Sequence, residues 1–227
     1  MRILALDTAT PACSAALLCD GAIISREIET ERGHAEQILA LVDAVLIEAG
    51  IELRAVDALA FGRGPGAFTG VRLAASVAQG LAFGAELPVV PVSDLAAVAQ
   101  RAFELNDGLR HVLVCNDARM QEVYWGCFDR GANGLAVLNG AEHVSGPAAV
   151  ALPVTWGGGV GGAGRGFRVY PELSRGLPLS AVFDALLPRA LEIARLAWSE
   201  ALRGRTCAAE LAIPVYLRDD VTRTSRN

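Results

Sequence analysis

Apolar positions along the chain switch between the two-residue period of strands and the 3.6-residue period of helices. Residues 3–7 form a short apolar run ending at Asp7, followed by the turn-rich Thr8-Ala9-Thr10-Pro11. Residues 14–19 are apolar, Asp20-Gly21 is a two-residue hairpin signal, and residues 22–28 return as a third strand. Ile38, Leu41, Val42, Val45, Leu46 and Ala49 then recur at helical spacing over 34–49, with Gly50 as the stop. Residues 56–61 read as a buried strand, and the glycine-rich turn 62–70 feeds a helix over 71–83. A short strand at 89–92 leads to Ser93, an N-cap for a helix over 94–105.

The second half opens in the same way. Residues 112–115 form an apolar strand with Asp117 just beyond it, and 123–128 form the next strand. Asp7 stands seven residues before Ser14, and Asp117 seven before Tyr124. Both halves therefore read strand, Asp, short turn, strand, which points to an internal duplication. Strands are expected at 135–138 and 154–156, and a flexible loop over the glycine run 157–164. Residues 167–170 read as strand, 185–202 as a helix with Pro188 near its first turn, and 218–227 as a loose polar tail. The α/β pattern given twice is that of two ribonuclease-H-like lobes of the actin-like/sugar-kinase architecture, facing each other across a nucleotide cleft. The expected division is 1–107 and 108–217, with the last helix able to pack back on the first lobe.

Composition narrows the function. The chain has 227 residues, 52% hydrophobic and 20% charged, enough to bury a core. A net charge of −5 and the lack of an Lys/Arg cluster argue against strong RNA binding by this surface alone. The five cysteines, Cys13, Cys19, Cys115, Cys127 and Cys207, form no C-x-x-C, so buried reduced thiols are expected. Met1 runs into a strand pattern without signal-peptide architecture, and the longest stretch free of Asp, Glu, Lys and Arg, 143–164, is broken by proline and glycine. A cytoplasmic, soluble protein is the expectation.

Four stretches in this order resemble the TsaB family: Ile3-Leu4-Ala5-Leu6-Asp7-Thr8-Ala9-Thr10; Gly33-His34-Ala35-Glu36-Gln37-Ile38-Leu39; Gly64-Pro65-Gly66-Ala67-Phe68-Thr69-Gly70-Val71-Arg72; and Asp117-Ala118-Arg119-Met120-Gln121-Glu122-Val123-Tyr124-Trp125. Pro214-Val215-Tyr216-Leu217-Arg218-Asp219-Asp220 also fits. The resemblance implies a non-catalytic scaffold for tRNA threonylcarbamoylation. It would pair with the catalytic paralogue TsaD, be joined by the ATPase TsaE, meet tRNA only through the complex, and form a homodimer when alone. It also implies pairing through the two helices of the first lobe. The expected interface residues are His34, Ile38, Leu41, Val42, Val45, Arg72, Ala74, Ala75 and Ala78.

The chemistry-bearing residues agree with a subunit that has no catalytic residue, cofactor or metal. The catalytic relative needs two histidines at i and i+4, which share one helical face. Here only His34, His111 and His143 occur, and Ile38 stands one turn after His34. Asp7-Thr8 and Asp117 sit where an actin-like kinase holds phosphate, yet no glycine follows either aspartate, and no acidic cluster is expected beside them. Asp7, Thr8, Asp117 and Gly158 remain as vestigial cleft positions, with strand-end turn formation as the competing reading. Gly62-Arg63-Gly64-Pro65-Gly66-Ala67 fits G-x-G-x-x-A, but Pro65 lacks an N–H that a phosphate would need. The alternatives are a small-molecule kinase or ATPase of the actin-like fold, and a metal-dependent peptidase or nuclease.

Overall fold

The computed structural model describes residues 1–30 and 32–218. The tail expected to be loose lies, from residue 219 onward, outside the described residues. The chain begins with an antiparallel meander, Arg2–Asp7 (β1), Ala12–Cys19 (β2) and Ala22–Glu29 (β3). Asp20 and Gly21 both have positive φ, 49° and 92°, as a tight Asp-Gly hairpin requires. His34–Ala49 (α1) ends at Gly50 in the left-handed region, whose N–H bonds the Ile47 and Leu46 carbonyls. Ala58–Gly62 (β4), Phe68–Ala85 (α2), Val89–Val92 (β5) and Asp94–Leu105 (α3) follow. Ser93 Oγ accepts from Ala96 N at 3.1 Å and caps α3. The strand order is β3-β2-β1-β4-β5, with β4 parallel to β1 and β5 parallel to β4.

The second half repeats this order. His111–Asp117 (β6), Val123–Arg130 (β7) and Ala136–Ser145 (β8) form the meander, and Val160–Ala163 (β9) and Ala181–Phe183 (β10) extend it in parallel. Gly166–Val169 (α4) and Glu172–Gly176 (α5) lie between β9 and β10, and Ala190–Leu202 (α6) comes last. Both sheets thus have the ribonuclease-H-like order, and the α/β expectation holds.

Three local expectations fail in one region. Residues 154–156 form no strand, and β9 instead lies inside the glycine run. The run looked like a loop because glycine carries no hydrophobic period. Its side-chain-free backbone is needed because bulky neighbours press on both faces: a Cβ at Gly161 would lie 2.8 Å from Leu109, and one at Gly162 would lie 2.7 Å from Phe167. Residues 167–170 are not strand either; Phe167 belongs to α4 and buries its ring beneath β9. The last helix starts at Ala190, later than the expected 185, and Pro188 lies just before its first turn. The first N–H of α6 is satisfied from across the fold, since Ala190 N donates to Ser14 Oγ of β2 at 2.9 Å.

Alternation along the strands sorts the side chains into layers. Leu4, Leu6, Cys13, Leu17, Leu59 and Phe61 face α1 and α2. Ile3, Ala5, Ala16, Ala58 and Ala60 face the opposite way, onto Ala190, Ile193, Ala194 and Ala197 of α6. On the second sheet Val112, Val114 and Phe128 pack on Leu95, Val98 and Phe103 of α3. Each sheet is therefore covered on its inner side by the helix that follows the other one.

Glycine in β9 and just after it makes a sharp contrast testable. Gly164 has φ of 101°, and a Cβ there would come 2.5 Å from the Cys115 carbonyl oxygen, whereas Gly158 has open space around it. Gly164→Ala should lower unfolding stability by about 2–4 kcal/mol, from strain and backbone overlap. Gly158→Ala should change it by less than about 0.5 kcal/mol. Urea unfolding of both variants measures the difference.

Candidate functional site

The strand ends of both sheets carry the aspartates singled out in the sequence. Asp7 Oδ1 accepts from Ala9 N at 2.9 Å, and Asp117 Oδ1 accepts from Arg119 N at 2.9 Å. These are the same Asx turn twice, with the side chain imitating a backbone turn. Neither turn offers its N–H groups outward. The loop 62–70 lies directly on the first: Ala67 N donates to Ala9 O at 2.8 Å, and Thr8 Oγ1 donates to Gly70 O at 2.7 Å. A Cβ at Gly66 would come 2.6 Å from Ala9 O, and one at Gly70 would overlap Thr8 O. On the second sheet Gly164 and Gly166 press in the same way on the Cys115 carbonyl. Gly158 stands away from both turns in the open part of its loop.

Asp7 is not alone, contrary to the expectation of no acidic partner. Asp94, the first residue of α3, is buried against it with 0% exposure for each. In the sequence Asp94 is only the residue after an N-cap, because 87 positions separate it from Asp7 and only the parallel order β1-β4-β5 joins them. Gly62 at the end of β4 makes room, since a Cβ there would overlap Asp94 Oδ1 and come 2.5 Å from Asp7 Oδ1. Asp94 Oδ2 accepts from Gly64 N at 2.5 Å. Burial pushes the Asp7 carboxyl up to about 6, partly offset by the Ala9 N–H. Burial, and then the Asp7 charge, push Asp94 well above its ordinary range. Cys13 beside them is raised to about 11, by burial first and Asp7 second, and stays a thiol.

After Asp117 the chain takes an unusual path. Arg119, Met120 and Gln121 all have positive φ, 61°, 55° and 61°. Three successive non-glycine residues in this region cost about 1–2 kcal/mol each. Ala118 N bonds Glu122 O at 2.9 Å across the turn, and Arg218 from the C-terminal segment donates to Ala118 O at 3.2 Å and pairs with Glu122. Nothing in the local composition signals this, since no glycine marks the positive φ.

The expected interface residues divide by burial. Ile38, Val42, Val45, Ala74, Ala75 and Ala78 are within the chain's own core, each at 3% exposure or less. They cannot form a free surface, and this corrects the expectation. The helical stripe they trace faces the sheet, which spacing alone does not distinguish from an outward face. Leu41 is half-buried, and His34 is half-buried with Nε2–H donating to Thr10 O at 2.9 Å. Arg72 is exposed, its guanidinium 3.7 Å from the Phe68 ring centre and its Nε donating to Tyr216 OH at 2.7 Å. The outward faces of α1 and α2 hold other residues: Leu39 (50% exposed), Ile47 (78%), Phe83 (79%), Ser76, Gly80 and Gly84.

Among the described residues no three His, Cys, Asp or Glu side chains converge as metal ligands, and no helix is long and apolar enough to cross a membrane.

A family model for TsaD, described as tRNA N6-adenosine threonylcarbamoyltransferase, matches residues 24–159. The chain is 43% identical to the tRNA threonylcarbamoyladenosine biosynthesis protein TsaB of Escherichia coli K12, over 97% of this chain and 96% of that protein. It is 40% identical to the TsaB of Haemophilus influenzae, over 98% of this chain and 95% of that one. Among solved structures, YeaZ from Pseudomonas aeruginosa superposes with a TM-score of 0.88 at 47% identity, covering 95% of this chain and 99% of that chain.

Proposed function

Because the chain belongs to the TsaB family of tRNA threonylcarbamoyladenosine biosynthesis proteins, we propose that it works there as a non-catalytic subunit. It binds and activates a TsaD partner, which transfers threonylcarbamoyl to N6 of adenosine 37 in tRNAs reading ANN codons. One observation carries the non-catalytic part of this reading. At the strand ends, where an actin-like kinase presents backbone N–H groups to phosphate, this chain has packed its own backbone. Ala67 N–H is spent on Ala9 O, and glycines press on the carbonyls of Thr8, Ala9 and Cys115.

The outward faces of α1 and α2 support the partner. Gly80 and Gly84 lie in α2 with nothing within 4 Å of where a Cβ would sit. Glycine inside a helix costs about 1 kcal/mol relative to alanine, and none of the described residues uses the space. A helix from TsaD could approach closely there, flanked by exposed Leu39, Ile47 and Phe83. The same face would pair two copies when TsaD is absent. TsaE joins the assembly, and tRNA meets it through the complex, in keeping with the net charge of −5. The reading places the protein in the cytoplasm. It treats residues 1–107 as the docking lobe and 108–217 as the second.

Reconstitution tests the proposal. TsaD and TsaE of the same organism, threonylcarbamoyl-adenylate and tRNA should yield modified adenosine only when this chain is present, and the chain alone should show no ATP turnover. Equal yield without it, or turnover by the pure chain, moves the kinase reading to first place.

Two substitutions separate docking from folding. Gly80→Arg should weaken TsaD binding at least about tenfold in calorimetric titration without lowering the melting temperature of the free chain, since it replaces an exposed helical glycine by a better helix former. Val42→Glu should instead destabilise the chain itself by about 3–5 kcal/mol, since it buries a charge without a partner.

A further inference from the structure

The buried carboxyls of Asp7 and Asp94 do no work in the function proposed above, and their surroundings define one. Both are at 0% exposure. Asp7 Oδ2 and Asp94 Oδ1 each lack a hydrogen-bond partner. Two buried charges a Gly62 apart would repel in a medium where each has already lost its hydration. Among the described residues the cation whose charge reaches Asp94 is Arg63, and it is paired with Glu142 at 3.1 Å. Glu142 is also bonded to Ser93. On β2 the facing group is the Cys13 thiol, which is uncharged. The arrangement therefore leaves two acceptor-only groups in contact, and a single proton resolves it.

We propose that Asp94 keeps its proton at neutral pH and donates it to Asp7, so that the pair carries one negative charge where β1, β4 and α3 meet. Asp7 holds the charge because two backbone N–H groups, those of Ala9 and Thr8, favour its ionised form. Asp94 keeps the proton because it faces that charge. The consequence for stability has a definite sign. Both folded-state values lie above the unfolded value of 3.8, so the folded chain binds protons more tightly. The stability the pair contributes is full below about pH 4 and is lost as pH rises, first through about 6 for Asp7. The junction of the two sheets is thereby tied to proton binding, a pH-sensitive link in a chain whose cysteines and histidines supply none at this position. As in other dyads, the two steps belong to the pair.

The test uses the full chain labelled with carboxyl-13C aspartate. At pH 7.5 one aspartate resonance should stand at the protonated position, and it should vanish in Asp94→Asn, whose amide keeps the bonds to Gly64 N and Asp7. The melting temperature of the wild-type chain should fall between pH 5 and 8 by more than that of Asp94→Asn. If every aspartate of the wild-type chain is ionised at pH 7.5, or if the protonated signal survives in Asp94→Asn, the proposal is wrong. Should Asp94→Asn fail to fold, the wild-type spectrum and that of Asp7→Asn decide the matter, since in Asp7→Asn the protonated resonance should shift with loss of its acceptor. A spectrum unchanged by Asp7→Asn overturns the pairing.

Discussion

Where β1, β4 and β5 end, there is no room for a Cβ, and much of the molecule is organised by that shortage. Gly62 lets the carboxyls of Asp7 and Asp94 close over the strand ends. Asp94 then ties the start of α3 to the following loop twice, accepting from Gly64 N through its side chain and donating its own N–H to Gly64 O at 3.1 Å. The loop held in this way lies on the Asp7 turn and delivers α2 to the outer face of the sheet. The far end of α3 packs on the second sheet. A crowded point a few ångströms across therefore fixes where α3 starts and where the loop into α2 lies.

The halves share a plan and differ in what covers them. Their strand orders match, and their aspartates make the same turn. The first sheet has α1 and α2 on its outside, helices of 16 and 18 residues. The second has only the segment 146–159 and the short α4 and α5. That outer layer is held by side chains instead: Asp129 accepts from His111 Nδ1–H at 2.7 Å, from Trp156 Nε1–H at 2.9 Å and from Asn139 at 2.8 Å. On the inside, the helices are exchanged. Alanines at 5, 16, 58 and 60 let α6 come close to the first sheet, and α3 serves the second. Neither sheet can keep a two-sided core without a helix from the other half of the chain, so the halves are expected to unfold together.

The strands and helices with strong periodicity were legible, because burial on one face leaves a pattern. The hairpin at Asp20-Gly21, the stop at Gly50 and the cap at Ser93 were legible because specific residues make those turns. Reading failed where tertiary contact decides. Gly161 and Gly162 form a strand because Leu109 and Phe167 need the space, a fact held by residues far away in sequence. Asp94 looked like an ordinary helix start, and only the parallel order of the strands brings it to Asp7. Ile38, Val42 and Ala74 were assigned to the wrong side of their helices, since a helix with apolar residues on both faces has no period that says which face meets the sheet. The left-handed run Arg119-Met120-Gln121 had no sequence signal at all; Arg218, far along the chain, holds it.

Glycine serves opposite ends in this molecule, and its surroundings tell them apart. In a nucleotide-binding loop, glycine lets phosphate approach backbone N–H groups. Gly66, Gly70, Gly164 and Gly166 instead let the chain's own carbonyls approach. Gly80 and Gly84 have none of the described residues within 4 Å of where a Cβ would sit, and each weakens α2 relative to alanine. The packed strand ends and the open helix face thus use the same residue in opposite ways: at one, glycine admits the chain's own carbonyls, and at the other it leaves a bare stretch of α2 on the outside of the sheet, on the side where Leu39, Ile47 and Phe83 are also exposed.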